Sequence, residues 1–179
     1  MSIDRRHIFN FSAVEEAPKF ANRVTQLLAG NWKLSQILRV QSGSYFTVSS
    51  GLDQALNGVT APAQRVNFNG PTPYSSDPNK TNWLNTASGV FTQPALGTFG
   101  NEGQSSLLGP GAFQFDMSLS RNFTFRELQH LELRGEAFNV LNHWRPANPN
   151  AALNVLSTFG TITASGDPRI MQFALKYVF

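Results

Sequence analysis

Five stretches of the chain alternate large apolar residues with polar or small ones at period two, the pattern of strands whose two faces meet different surroundings. The last is the clearest. Met171, Phe173, Leu175, Tyr177 and Phe179 fall at every second position, separated by Gln172, Ala174, Lys176 and Val178. Phe113, Phe115, Met117 and Leu119 alternate with Gln114, Asp116, Ser118 and Ser120. Leu131, Leu133, Gly135 and Ala137 oppose Glu132, Arg134 and Glu136. Trp32, Leu34, Leu38 and Val40 alternate with Lys33, Ser35 and Arg39, with Gln36 and Ile37 out of phase. Phe9, Phe11 and Ala13 give a weaker fifth strand against Asn10 and Ser12.

The connections differ in length. Counted back from Phe179, residues 142–168 are long, 124–128 short, 43–110 very long and 18–30 intermediate. Loops beyond about 15 residues are uncommon in compact domains, whereas outer-membrane barrels pair short periplasmic turns with long extracellular loops. With the C-terminus on the periplasmic side, both long loops fall outside the cell. Residues 43–110 are rich in Gly, Asn, Pro, Ser and Thr, with Asn57-Gly58 and Asn69-Gly70 as turn dipeptides. Their scattered large side chains suggest a segment folded back on itself or into a barrel mouth, disorder being the alternative. In residues 18–30, Phe20, Val24 and Leu27 space one short amphipathic helix.

Composition sharpens this. Charged residues are 14% of the 179, against roughly 25% in an average globular protein. Aromatics reach 12%, with 15 Phe, while the mean hydropathy is only −0.22. No window holds the ~18 consecutive apolar residues of a membrane-spanning helix, but alternating strands escape such a test. The net charge of +3 is mild and its Lys and Arg are scattered, so no nucleic-acid partner is expected. The absence of Cys excludes disulfides and thiolate metal sites.

A soluble sandwich also alternates. Two details favour lipid. Asp116, Glu132, Arg134 and Glu136 can line a hydrated lumen, and Phe113, Phe123, Phe125, Tyr177 and Phe179 gather at strand ends like an interfacial girdle. The expected fold is therefore all-β, a portion of an antiparallel transmembrane β-barrel with long extracellular loops. Backbone groups in lipid must all be hydrogen-bonded, and five strands cannot close a barrel, so further strands are needed. The first ten residues carry Asp4, Arg5, Arg6 and His7 and no apolar core of a signal peptide, which suggests a fragment or an N-terminus not included here.

Several short motifs recur in a telling order: Asp4-Arg5-Arg6-His7, Trp32-Lys33-Leu34-Ser35, Gly97-Thr98-Phe99-Gly100-Asn101, Gly109-Pro110-Gly111 and Phe115-Asp116-Met117-Ser118-Leu119. Arg134-Gly135-Glu136-Ala137-Phe138-Asn139-Val140-Leu141-Asn142-His143 and Asp167-Pro168-Arg169 follow. The set resembles the C-terminal barrel of TonB-dependent receptors, the Oar-like branch with a carboxypeptidase-regulatory-like N-terminal domain. The likeness runs through residues 4–179, making residues 1–179 a C-terminal barrel part and 43–110 an extracellular loop within it. It implies a whole barrel of about 22 strands. It also implies outer-membrane lipid and the barrel-assembly machinery as partners, and the TonB system only through an N-terminal plug that cannot be placed in this sequence. Leu175, Tyr177 and Phe179 then look like the family's assembly signal.

Candidate chemistry is sparse. His7, His130 and His143 lack metal-site spacing, so no metal or cofactor is expected. Gly97, Gly100 and Gly103 form a GxxGxxG run without the Lys-Ser/Thr of a phosphate loop. Ser105 and Ser106 have no base motif beside them, and the acceptor triplets at Asn10 and Asn122 fall in expected strands. Glu132, Arg134 and Glu136 share a strand face at about 7 Å spacing, where an interleaved Arg favours a lumen wall over acid–base catalysis. No catalytic residue is assigned and the chain is not expected to be an enzyme. Phe68, Tyr74 and Trp83 in the long loop are candidate ligand contacts, by stacking on a sugar or an aromatic iron chelate. The expected function is uptake or surface binding of a solute as part of an outer-membrane receptor. A surface-adhesion or structural barrel without transport is the first alternative, and a secreted carbohydrate-binding sandwich the second.

Overall fold

A computed structural model describes residues 4–59, 64–76, 81–126 and 129–179. In chain order the elements are β1 (Ile8–Glu16), α1 (Arg23–Ala29), β2 (Trp32–Gln41), β3 (Tyr45–Phe46), β4 (Asn67–Phe68), β5 (Phe91–Thr92), β6 (Leu107–Leu108), β7 (Ala112–Arg126), β8 (Gln129–Phe138) and β9 (Ile170–Val178). They fall into two compact units, one holding the five long strands and the other the long loops.

The five long strands form one antiparallel sheet in the order β1-β2-β7-β8-β9. All five alternating stretches are strands, each longer than its clearest pattern or equal to it. Register turns the period-two pattern into faces. One five-strand rung reads Ala13–Gln36–Met117–Ala137–Met171, and the apolar face continues through Phe11–Leu38–Phe115 and Leu34–Leu119–Gly135–Phe173. The opposite face carries the rungs Val14–Ser35–Ser118–Glu136–Gln172 and Glu16–Lys33–Ser120–Arg134–Ala174. Gln36 and Ile37, out of phase in the sequence, do not break β2. They are one polar residue on the apolar face and one apolar residue on the polar face. The sheet is staggered: β2 ends at Trp32 opposite Arg121, while β7 runs on to Arg126. A stagger of this kind accompanies the strand tilt of a barrel.

The connection between β1 and β2 contains the expected helix. Asn22 caps α1 by accepting the Val24 N–H at 2.8 Å and the Thr25 N–H at 3.4 Å. None of the helix's residues is buried.

The second unit comprises Met1–His7, Ser42–Gly111 and Pro146–Gly166. The described part of residues 43–110 folds on itself and against residues 146–166. β3 pairs with β6, β4 pairs with β5, and isolated bridges join Ser49 to both Arg65 and Ala152, and Asn82 to Thr161. Its core is Phe46, Val48, Val66, Leu84, Val90, Phe91, Leu107, Leu153 and Phe159. Glycines permit the closest backbone approaches: a Cβ on Gly43 would collide with the Gly109 carbonyl, and one on Gly100 with the Val66 carbonyl.

Candidate functional site

Every buried hydrophobic side chain among the described residues belongs to the loop unit, and none to the sheet. The sheet's apolar face is instead exposed: Phe11 by 49%, Leu119 by 44%, Phe173 by 77% and Leu175 by 67%. A soluble sheet this apolar would lose about 25 cal/mol for each Å² it failed to bury. A strand face that is largely apolar yet unburied is stable where lipid, rather than water, lies against it. No described helix is long and apolar enough to cross a membrane, so any crossing is made by strands.

The reverse face is polar. Arg134 on β8 bonds Glu132 Oε1 through Nη2 at 2.5 Å and lies 3.7 Å from Glu136 Oε1. Gln172 on β9 donates to Glu136, and Lys33 of β2 meets Glu16 of β1 at 3.6 Å. Glu132, Arg134 and Glu136 thus come together as one charge ladder.

Asp116 lies on the same polar face, opposite Ile37, and bonds groups outside the ladder. Its Oδ1 accepts the Asn139 N–H at 2.8 Å, and its carboxylate also accepts from Gln114 Nε2. Asn139 was not singled out from the sequence as a site residue, yet it is the hub of this end of the sheet. It is 2% exposed, in the left-handed region at φ 51°. Its side chain donates to the carbonyls of His143 (3.0 Å) and Asp167 (3.3 Å) and accepts the His143 N–H at 2.9 Å. Asn142, also left-handed at φ 50°, accepts the Arg169 N–H at 3.0 Å. Arg145 adds a 2.6 Å bond to Gln114. The network ties β7 and β8 to the start of β9. The clue in the sequence was the pair of asparagines in Asn139-Val140-Leu141-Asn142, a residue type that tolerates positive φ.

β9 is an edge strand. Leu175 stands opposite Leu133, Tyr177 opposite Leu131, and the Tyr177 and Phe179 rings stack at 6.1 Å. All three are exposed, Phe179 by 89%.

In the loop unit the three aromatic candidates pack the fold. Phe68 meets Phe91 at 5.4 Å and, with Trp83, packs against the core. Tyr74 meets Trp83 edge-on, its hydroxyl accepting the Leu108 N–H at 2.8 Å, and Trp83 Nε1 donates to the Leu108 carbonyl. Two carboxyls in this unit are shifted. Burial raises Glu102, outweighing the Ser106 hydroxyl, the Arg65 charge and the Val48 N–H. For Asp53 burial also pulls upward. Bonds from Gln64 Nε2 (2.6 Å), Gly58 N–H and Asn57 N–H prevail and hold it below the usual range. Of the histidines, His143 packs edge-on against Phe113, and no group of three metal-ligating side chains occurs among the described residues.

A family model described as "Outer membrane beta barrel domain" matches residues 1–172. The chain belongs to that family. Its location is accordingly the outer membrane, where an exposed apolar strand face suits contact with lipid. A secreted soluble sandwich does not fit that location. No curated protein and no solved structure matches the chain.

Proposed function

We propose that this outer-membrane β-barrel chain belongs to a TonB-dependent receptor of the Oar-like kind and contributes strands and surface loops to uptake of a solute. The observation that carries this reading is the folding of both long loops about one core, in a chain whose strands carry a polar face and an exposed apolar face. Loops built this way offer a fixed surface for selecting a ligand, and the Glu132–Arg134–Glu136 ladder suits a hydrated wall. The motifs from Asp4 to Phe179 favour the TonB-dependent branch. The chain is not an enzyme in this reading: Glu132 and Glu136 share Arg134 as an ion-paired ladder. Its partners are outer-membrane lipid, the barrel-assembly machinery and, through a plug outside this sequence, the TonB system.

The test is genetic. Growth on a panel of single nutrient or iron sources is compared among the parent, a deletion of the whole gene and a strain lacking TonB. A defect on one source shared by both mutants is expected. Unchanged import of every source, with reduced attachment of cells to surfaces, would replace transport by the adhesion reading, which the ordered loop core also suits.

A further inference from the structure

α1 is greasy on its outside. Val24, Leu27 and Leu28 are exposed by 64%, 67% and 66%, which is costly in water and natural in a membrane interface. Its last carbonyls are held by an arginine drawn from the apolar face of the sheet. Arg121, opposite Trp32 in the β2–β7 register, is only 7% exposed. Its Nη1 donates to Leu28 O at 3.1 Å and its Nη2 to Leu27 O, while its guanidinium lies 4.6 Å from the Phe123 ring centre and 5.3 Å from that of Trp32. Nε has no hydrogen-bond partner among the described residues. Between α1 and β7 lies a recess of about 410 Å³ lined in part by Phe20, Arg23, Gln26, Arg121, Phe123 and Phe125. Neither arginine has a carboxylate partner among the described residues.

The recess therefore combines two arginines without a carboxylate partner among the described residues, an aromatic rim and flanking apolar side chains. Arg121 and Phe123 belong to the apolar side of β7, and Phe125, at the register shift beyond Thr124, is exposed. The recess is at the end of the sheet where β7 turns into β8 and where β9 finishes, the end that short turns mark as periplasmic. One of its walls is β7, an interior strand of the sheet, so strands added at the β1 or β9 edge would not pair with that wall. We infer that this recess binds the phosphate of a phospholipid in the periplasmic leaflet. Arg23 and Arg121 supply the charge, and Val24, Leu27 and Leu28 lie among the acyl chains. Guanidinium groups suit this task because their fixed, weakly hydrated donors match phosphate oxygens. The inference depends on the outer-membrane location and not on which solute, if any, is transported.

The test uses the intact protein, purified in mild detergent and examined by native mass spectrometry with phosphatidylglycerol or with diacylglycerol of the same chains. Retention of phosphatidylglycerol but not diacylglycerol is expected, unaffected by millimolar inorganic phosphate. Arg23 makes no hydrogen bond among the described residues, so Arg23→Gln should leave barrel folding intact and weaken retention about tenfold, the cost of one charge-assisted bond. Equal retention of the two lipids, displacement by inorganic phosphate, or a folded Arg23→Gln protein that retains phosphatidylglycerol as the parent does would each overturn the proposal. The lipid comparison on the parent protein stands whatever the variant does.

Discussion

Single residues separate the apolar face of the sheet from its polar face and show where the sheet is locked. Leu133, at the middle of β8, is 40% exposed on the apolar face, whereas its neighbour Arg134 belongs to the polar ladder. Leu133→Arg should cost about 2–4 kcal/mol if it lies near the bilayer midplane. Ser120→Arg, on the polar face beside Arg134, should cost far less. Urea midpoints for refolding into vesicles would measure both, and equal losses would mean that the two faces do not differ in solvent. Asn139 poses a backbone question. Asn139→Ala forfeits three side-chain hydrogen bonds and leaves at φ 51° a residue that tolerates the left-handed region less well than Asn. Asn139→Gly forfeits the same bonds without the strain. The alanine variant should therefore be less stable than the glycine variant by about 1–2 kcal/mol. A reversed order would show that the left-handed backbone conformation does not set the cost at this corner.

Among the elements, the sheet was legible and the loop unit was not, for a physical reason. A strand that separates two media writes its period directly into the chain, so β2, β7, β8 and β9 stand out. Their ends do not. Glu15 faces the apolar side opposite Leu34, yet at a strand end, where an expectation based on apolar spacing stops and the ladder continues. The loop core is built from Val48, Val66, Leu84, Leu153 and Phe159, single apolar residues without a shared period, contributed by segments far apart in the chain. Nothing local marks them, and likewise the packing roles of Phe68 and Trp83 depend on neighbours that only the fold supplies. Glu102 and Asp53 give this unit opposite pH responses. Glu102, raised above its ordinary 4.5, disfavours folding increasingly as pH rises through the interval from 4.5 to its folded value. Asp53, lowered from 3.8, contributes stability that is present above 3.8 and lost as pH falls through its folded value. Glu102→Gln should therefore slow amide exchange in the loop unit at neutral pH and make little difference below pH 4.5. No change at pH 7 would mean the carboxyl is not held in the buried place described. For β9, deleting Phe179 should lower the amount of barrel reaching the membrane, since the exposed Tyr177–Phe179 stack is the assembly signal in the proposed reading. Undiminished levels in heat-modifiability gels would remove that role.

For the whole molecule, the membership in the outer-membrane barrel family and the unburied apolar face make one claim: the sheet divides lipid from a polar interior. The open edges of β1 and β9 are where the remaining barrel would pair, since backbone groups in lipid tolerate no free edge. The 179 residues contain no cysteine, so a single thiol introduced among them has no competitor within this chain. The most direct measurement places cysteine singly at each position from Leu131 to Ala137 of β8 in the intact protein. Labelling by a membrane-impermeant maleimide is then scored in isolated outer membranes. Reaction at positions 132, 134 and 136 and protection at 131, 133, 135 and 137 is the expected result. Uniform labelling along β8, or the opposite phase, would contradict the assignment of the apolar face to lipid and with it the barrel as described.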